Sequence, residues 1–282
     1  APGDARAAVG RRPPRGGRLS GHVNLALHDF GGTGPDVLLL HGGADNLETW
    51  RDLVPRLRRR FRLVAYDARG HGQSPTPAHA SVEDLVSDVT AVADELELGR
   101  PLLLGHSMGG VNALLAAASE RFAGVVALDG VPRWWSRPDL TVEDLVEIGR
   151  SRGLGWSGTQ EELDRQAASL GRDSRHGELI RAIFRRNHEP DGSGLLRRKP
   201  DPSYALALAQ IYQGPESGLT KEKVEEARCP VVLLCSEQWV TGAAARRALA
   251  ELSRAEVVFL DTSHYVHWDD PDEVVRRVEA IA

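Results

Sequence analysis

What most constrains the fold of this 282-residue chain is an alternation of short apolar runs with longer stretches of helical periodicity. The runs lie at residues 23–27, 37–40, 61–66, 102–104, 125–128, 231–234 and 257–260, and several are apolar at every position. A strand with one wet face alternates polar and apolar side chains, so an unbroken run reads as a strand covered on both faces, as in a parallel sheet. Parallel neighbours need crossovers, which the helical patterns near 47–59, 81–97, 108–119, 242–253 and 271–281 are long enough to supply. The expected fold class is α/β, a mostly parallel wound sheet with helices on both faces.

Regularity stops after Leu128. The interval 131–220 holds amphipathic stretches at 142–150, 161–169, 178–186 and 204–212 broken by Gly, Pro and Ser turns, and reads as a helical cap inserted into the sheet. Residues 1–18, with Arg6, Arg11, Arg12, Arg15 and Arg18 against Asp4 and no apolar segment, read as a flexible N-terminal tail. This leaves 19–130 and 221–282 as the main domain. Gly31-Gly32-Thr33-Gly34 reads as a hairpin-type turn between strands rather than a phosphate loop. The 35 basic and 40 acidic residues give a formal charge of -5, so no basic field draws the chain to nucleic acid or anionic lipid. No run approaches the roughly 18 apolar residues of a membrane span. Cys229 and Cys235 flank a strand that would hold them about 20 Å apart, too far to bridge, so they read as free thiols and the cytoplasm as the expected compartment.

The chemistry centres on Gly105-His106-Ser107-Met108-Gly109. A strand precedes it and a small-residue helix follows, so Ser107 falls on a sharp strand-to-helix turn, its hydroxyl at the mouth of the sheet and beside the positive end of a helix. The competing assignment is that Ser107 merely caps that helix.

With His41-Gly42-Gly43-Ala44 after one strand and Asp67-Ala68-Arg69-Gly70-His71-Gly72-Gln73-Ser74 after the next, the chain resembles the α/β-hydrolase family from about Leu19 to its C-terminus. The resemblance implies Ser107 as nucleophile and the backbone N–H groups of Gly43 and Met108 as an oxyanion hole. It also implies His264, seven residues before Pro271, as the base, with His267 at a packing or substrate-side position. His41, Arg69, His71 and His106 are expected to hold loops rather than react. In most relatives an acid follows the strand at 231–234, but Trp239 occupies that place and cannot accept the imidazole proton. Asp129, one strand earlier, fits an alternative placement and keeps the order Ser, acid, His; Glu237, or no acid at all, are the competing readings, and Asp129 could also only cap a turn.

Trp50, Trp134, Trp135, Trp239 and Trp268 fall near the expected catalytic face, and Trp134, Trp135 and Trp239, with His267, are expected to line an apolar pocket. The expected partner is a small molecule of apolar character. No metal-ligand spacing and no nucleotide loop occurs in the sequence, so no cofactor is implied. The resulting expectation is a capped serine hydrolase acting on a carboxylic ester, lactone or related acyl bond. A lyase or cyclase of the same fold, suggested by Trp239, and a catalytically quiet small-molecule receptor stand as alternatives.

Overall fold

The structure, a computed structural model, describes residues 17–18, 24–79, 81–131, 141–151, 153–213 and 218–282. Its strands are β1 (Gly17–Arg18), β2 (Ala26–Gly31), β3 (Asp36–Leu40), β4 (Arg62–Tyr66), β5 (Leu102–His106), β6 (Gly124–Leu128), β7 (Ser157–Gly158), β8 (His188–Pro190), β9 (Leu196–Arg198), β10 (Val231–Ser236) and β11 (Ala255–Leu260). The α-helices, in chain order, are α1 (Val54–Leu57), α2 (Val82–Glu95), α3 (Met108–Ala116), α4 (Val142–Ser151), α5 (Gln160–Ser169) and α6 (Gly177–Arg186), then α7 (Pro202–Gln213), α8 (Lys221–Glu225), α9 (Ala243–Ala250), α10 (Val266–Asp269) and α11 (Pro271–Ile281).

Eight strands form one sheet in the order β1-β2-β4-β3-β5-β6-β10-β11, parallel from β4 to β11, with β1 and β2 antiparallel at one edge. The apolar runs explain it. Along β3, Leu38 and Leu40 join the cluster containing Leu85, Val89 and Val111 of α2 and α3, while Val37 and Leu39 join Trp50, Leu57, Val274 and Val278 on the opposite face. Successive side chains of a strand point to opposite faces, so a run apolar at every position feeds two cores at once. All carboxyl ends of the parallel strands lie along one edge, the usual place for a ligand crevice in such sheets.

Several expectations are corrected. The strand expected at 23–27 is β2, which runs from Ala26 to Gly31; Val23 lies outside the described residues. Gly17 and Arg18, assigned by sequence to the tail, pair with Leu27 and Ala26. The Gly31 to Gly34 turn joins β2 to β3, but β4 lies between them, so it is a crossing and not a hairpin. The helix expected at 47–59 is broken into a 3-10 turn (Leu47–Trp50) and α1. Pro55 is the reason, since it donates no N–H and suits only the first turn of a helix.

Among the described residues, the interval 131–220 contributes α4 to α7, close to the four expected stretches, and a three-stranded sheet in the order β7-β9-β8, with α8 following before β10. Polar contacts fasten it to the sheet's loops. Arg186 at the end of α6 pairs at 2.9 Å with Asp67, whose side chain is fully buried and also accepts the N–H groups of Leu47 and Gln73. Asn187, fully buried, donates to the carbonyl of Ala44 at 2.9 Å and accepts from Gly72 N–H and from Asn46 at 3.0 Å each. The buried Lys199 donates to the carbonyl of Ser74 and pairs with Glu189 at 3.1 Å.

Candidate active site

β5 ends at His106, and the chain turns into α3 through Ser107, whose backbone takes φ 52° and ψ -117°. For a residue with a Cβ this is a strained conformation, of order 1–3 kcal/mol, held by its surroundings. The Ser107 N–H bonds the carbonyl of Leu128 at 2.9 Å, continuing the β5–β6 pairing past the strand end. Two glycines make the turn possible. A Cβ on Gly105 would strike the Gly109 carbonyl, and one on Gly109 would strike that of Leu40. The Ser107 side chain makes no cap bond to α3, against the helix-cap assignment. Its hydroxyl instead lies 3.0 Å from Nε2 of His264.

His264 follows β11 in a loop anchored by Ser263, whose N–H and hydroxyl both bond Asp269 Oδ2, at 2.8 and 2.5 Å. The other imidazole nitrogen, Nδ1, lies 2.6 Å from Oδ2 of Asp129. A carboxylate only accepts, so Nδ1 carries the proton and Nε2 presents its lone pair to the Ser107 O–H. Asp129 sits past the end of β6 at φ 48°, its side chain fully buried, and its Oδ1 accepts the Ser236 N–H at 3.0 Å. Of the two carboxylates proposed by sequence, only Asp129 reaches the histidine by a hydrogen bond; Glu237 is exposed and pairs with Arg246 at 3.4 Å. Trp239, in the place usual for the acid, is stacked on the His264 ring instead, with centroids 4.2 Å apart.

Beside this line the loop after β3 carries Gly43, where a Cβ would meet nothing within 4 Å. His41 shapes that loop. Its Nδ1–H donates to the Gly42 carbonyl at 2.8 Å and its Nε2 accepts from Ala68 N–H at 2.8 Å. Burial lowers its pKa to about 4, so it holds the loop as a neutral ring. Met108 opens α3, and a first-turn N–H has no intrahelical acceptor. His106 donates from Nε2 to the His264 carbonyl at 3.0 Å, and burial keeps its pKa well below the ordinary value.

The remaining sequence-derived residues divide. His267 is buried, bonds Thr49 Oγ1 at 3.0 Å and packs on Trp50 and His106, where burial keeps it neutral. Trp134 and Trp135 lie outside the described residues. Arg69 forks onto Asp88 of α2 at 2.6 and 2.8 Å, and His71 bonds the Arg69 carbonyl at 3.1 Å, as loop-holding residues would. Both cysteines are free and buried. Among the described residues no helix is long and apolar enough to cross a membrane. Sequence reasoning missed Ser236 and Asn187, whose only signal is position at the end of a strand or helix.

Comparison with known proteins agrees with this architecture. The model of the alpha/beta hydrolase family matches residues 37–277. A 2-(acetamidomethylene)succinate hydrolase of Mesorhizobium japonicum is 29% identical over 266 residues, covering 92% of this chain and 91% of its own. The crystal structure of an E-2-(acetamidomethylene)succinate hydrolase superposes with a TM-score of 0.78 at 24% identity, over 94% of this chain and 98% of that one. An enol-lactonase from Burkholderia xenovorans gives 0.64 at 22% identity, over 92% and 97%.

Proposed function

The chain belongs to the alpha/beta hydrolase family, and on that premise we propose that it is a serine hydrolase that cleaves a carboxylic ester, lactone or related acyl bond through an acyl-enzyme. The observation that carries the reading is the single hydrogen-bonded line from Ser107 through His264 to Asp129, at 3.0 and 2.6 Å. A serine hydroxyl is a weak nucleophile until a base takes its proton. Here Nε2 of His264 takes it as Oγ attacks the acyl carbon, and Asp129 holds the tautomer and stabilises the imidazolium. The N–H groups of Gly43 and Met108 receive the developing oxyanion. His264 then gives the proton to the leaving group, and water repeats the sequence on the acyl-enzyme.

The names of the similar proteins point the same way in chemical class: one acts on an acetamido compound, the other on an enol lactone, both acyl derivatives. The interval 131–220 serves as the cap over this site, with Trp239 and, by sequence, Trp134 and Trp135 on the apolar side of the pocket. The lyase or cyclase alternative drew on the lack of an acid at Trp239, and an acid line through Asp129 removes that motive. A fluorophosphonate probe tests the reading. Ser107 is expected to label rapidly and Ser107→Ala not at all, with turnover of acyl substrates reduced by several orders of magnitude. Near-normal turnover in Ser107→Ala would exclude the acyl-enzyme.

A further inference from the structure

The indole of Trp239 covers one face of the His264 imidazole, its plane tilted only 25° from the ring at the 4.2 Å centroid separation. The placement is built in. After β10 the chain turns so that Trp239 N–H donates to the carbonyl and the Oγ of Ser236, each at 3.2 Å. Ser236 is fully buried and also gives its N–H to Asp129 Oδ1 and its hydroxyl to the Thr262 carbonyl at 2.5 Å, two residues before His264. One serine therefore fixes the carboxylate, the indole and the histidine loop relative to one another.

We infer that Trp239 is a positioning residue for this reaction, fixing the plane of the His264 ring and stabilising, through its π face, the imidazolium that forms when His264 takes the serine proton. The inference rests on the reading of His264 as the base. A cation within about 6 Å of an aromatic centroid is attracted by the ring quadrupole, most strongly by indole, while a neutral imidazole gains little of this. Besides the indole, the groups facing His264 include the Asp129 carboxylate, the Ser107 hydroxyl and the rings of His106 and Tyr265 at 4.8 and 5.9 Å. His267 also acts on His264 electrostatically, and burial keeps both His106 and His267 neutral. Asp129 bonds in the plane of the imidazole, at Nδ1. The indole supplies negative potential on the ring face, where the carboxylate does not reach.

The rate of phosphonylation of Ser107 by a fluorophosphonate, measured against pH, tests this without a known substrate. In that step the Oγ–P bond forms, the P–F bond breaks, fluoride leaves and the serine proton passes to His264. Its acid limb reports the protonation of His264, and its plateau the stabilisation of the imidazolium in the transition state. Trp239→Leu is expected to move the midpoint of the acid limb down by about half to one pH unit and to lower the plateau about three- to tenfold, with Trp239→Phe between it and the native protein. An unchanged profile overturns the inference. So does a lower plateau with a fixed or raised midpoint, which would make the indole packing alone. If Trp239→Leu fails to fold by circular dichroism, Trp239→Phe, which keeps an aromatic ring, carries the same test. The two readings fail separately: His264→Ala labelling with the native rate and acid limb would overturn the base assignment, whereas a limb that vanishes in His264→Ala but ignores residue 239 overturns only the role of Trp239.

Discussion

At the scale of single residues, the proposed acid is the point on which this chain differs from the pattern it resembles. The Asp129 carboxylate only accepts and is fully buried, so hydrogen bonds such as those from His264 and Ser236 keep it acceptable there. Asp129→Asn keeps the size and removes the charge, and in an unrelated serine protease the equivalent change costs about 10⁴ in kcat. A loss on the order of 10³–10⁴ in turnover is expected here, with little loss of folded protein, while Glu237→Gln, on an exposed pair, should be silent. Steady-state kinetics of the two variants check this, and a silent Asp129→Asn would return the residue to a turn-capping role. The histidines separate in the same way. His264→Ala should reduce kcat by several orders of magnitude, and His267→Ala should act mainly on thermal stability, because His267 bonds Thr49 and packs on Trp50 rather than meeting Ser107. The reverse ranking, read from kcat and melting temperature together, would exchange their roles.

At the scale of elements, α6 and the residue after it tie the interval between β6 and β10 to the loops under the site. Arg186→Met leaves the Asp67 carboxylate buried with two backbone N–H donors and no paired cation, with Lys199 still acting on it electrostatically. Removing one partner of a buried pair costs roughly 3–5 kcal/mol, and the lower end is expected because Arg186 is itself 17% exposed. Urea unfolding should show the fall as a lower midpoint with an unchanged slope. A midpoint shift under about 0.5 kcal/mol would mean that the pair carries no tie. What was legible beforehand follows the same physics. The parallel strands of the main sheet were readable because burial on both faces writes an unbroken apolar run, and α4 to α7 because one apolar face writes a helical period, while the two-residue β1 was taken for tail. β7, β8 and β9 were not, since two or three residues such as Ser157–Gly158 carry no period. In the candidate site, Ser107 was singled out by its motif on a strand-to-helix turn and His264 by the family resemblance, while Asp129 stood as one of several readings. The stack of Trp239 on His264 and the Asn187 contacts were hidden, because each depends on where distant segments meet in space and neither leaves a local pattern.

At the scale of the whole molecule, a set of histidines sealed in neutral form sets the acid limit of the fold. Burial lowers His41 from 6.5 to about 4 and His71 from 6.5 to about 3, and holds His106 and His267 well below the ordinary value. Their folded-state pKa values lie below the unfolded ones, so the unfolded chain binds more protons. Stability is full above pH 6.5 and is lost as pH falls from there toward 4 and 3, by up to about 1.4 kcal/mol per pH unit for each histidine. Urea midpoints measured from pH 8 to pH 5 should be flat above about 7 and fall steadily below it, and a flat curve throughout would mean that these rings protonate in the folded state. The sheet order has a consequence of a different kind. β6 and β10 are neighbours, with Leu128 opposite Leu234 and Val125 opposite Val231, so the chain leaves the sheet at Leu128 and returns at Val231 only about 11 Å away. Whatever lies between those two points closes the same short gap. Descent with modification can therefore rewrite the intervening segment wholesale while Ser107, Asp129 and His264 keep their places past the ends of β5, β6 and β11; the inherited constraint is that each new segment must bring its own counterpart to Arg186 for the Asp67 left beneath it.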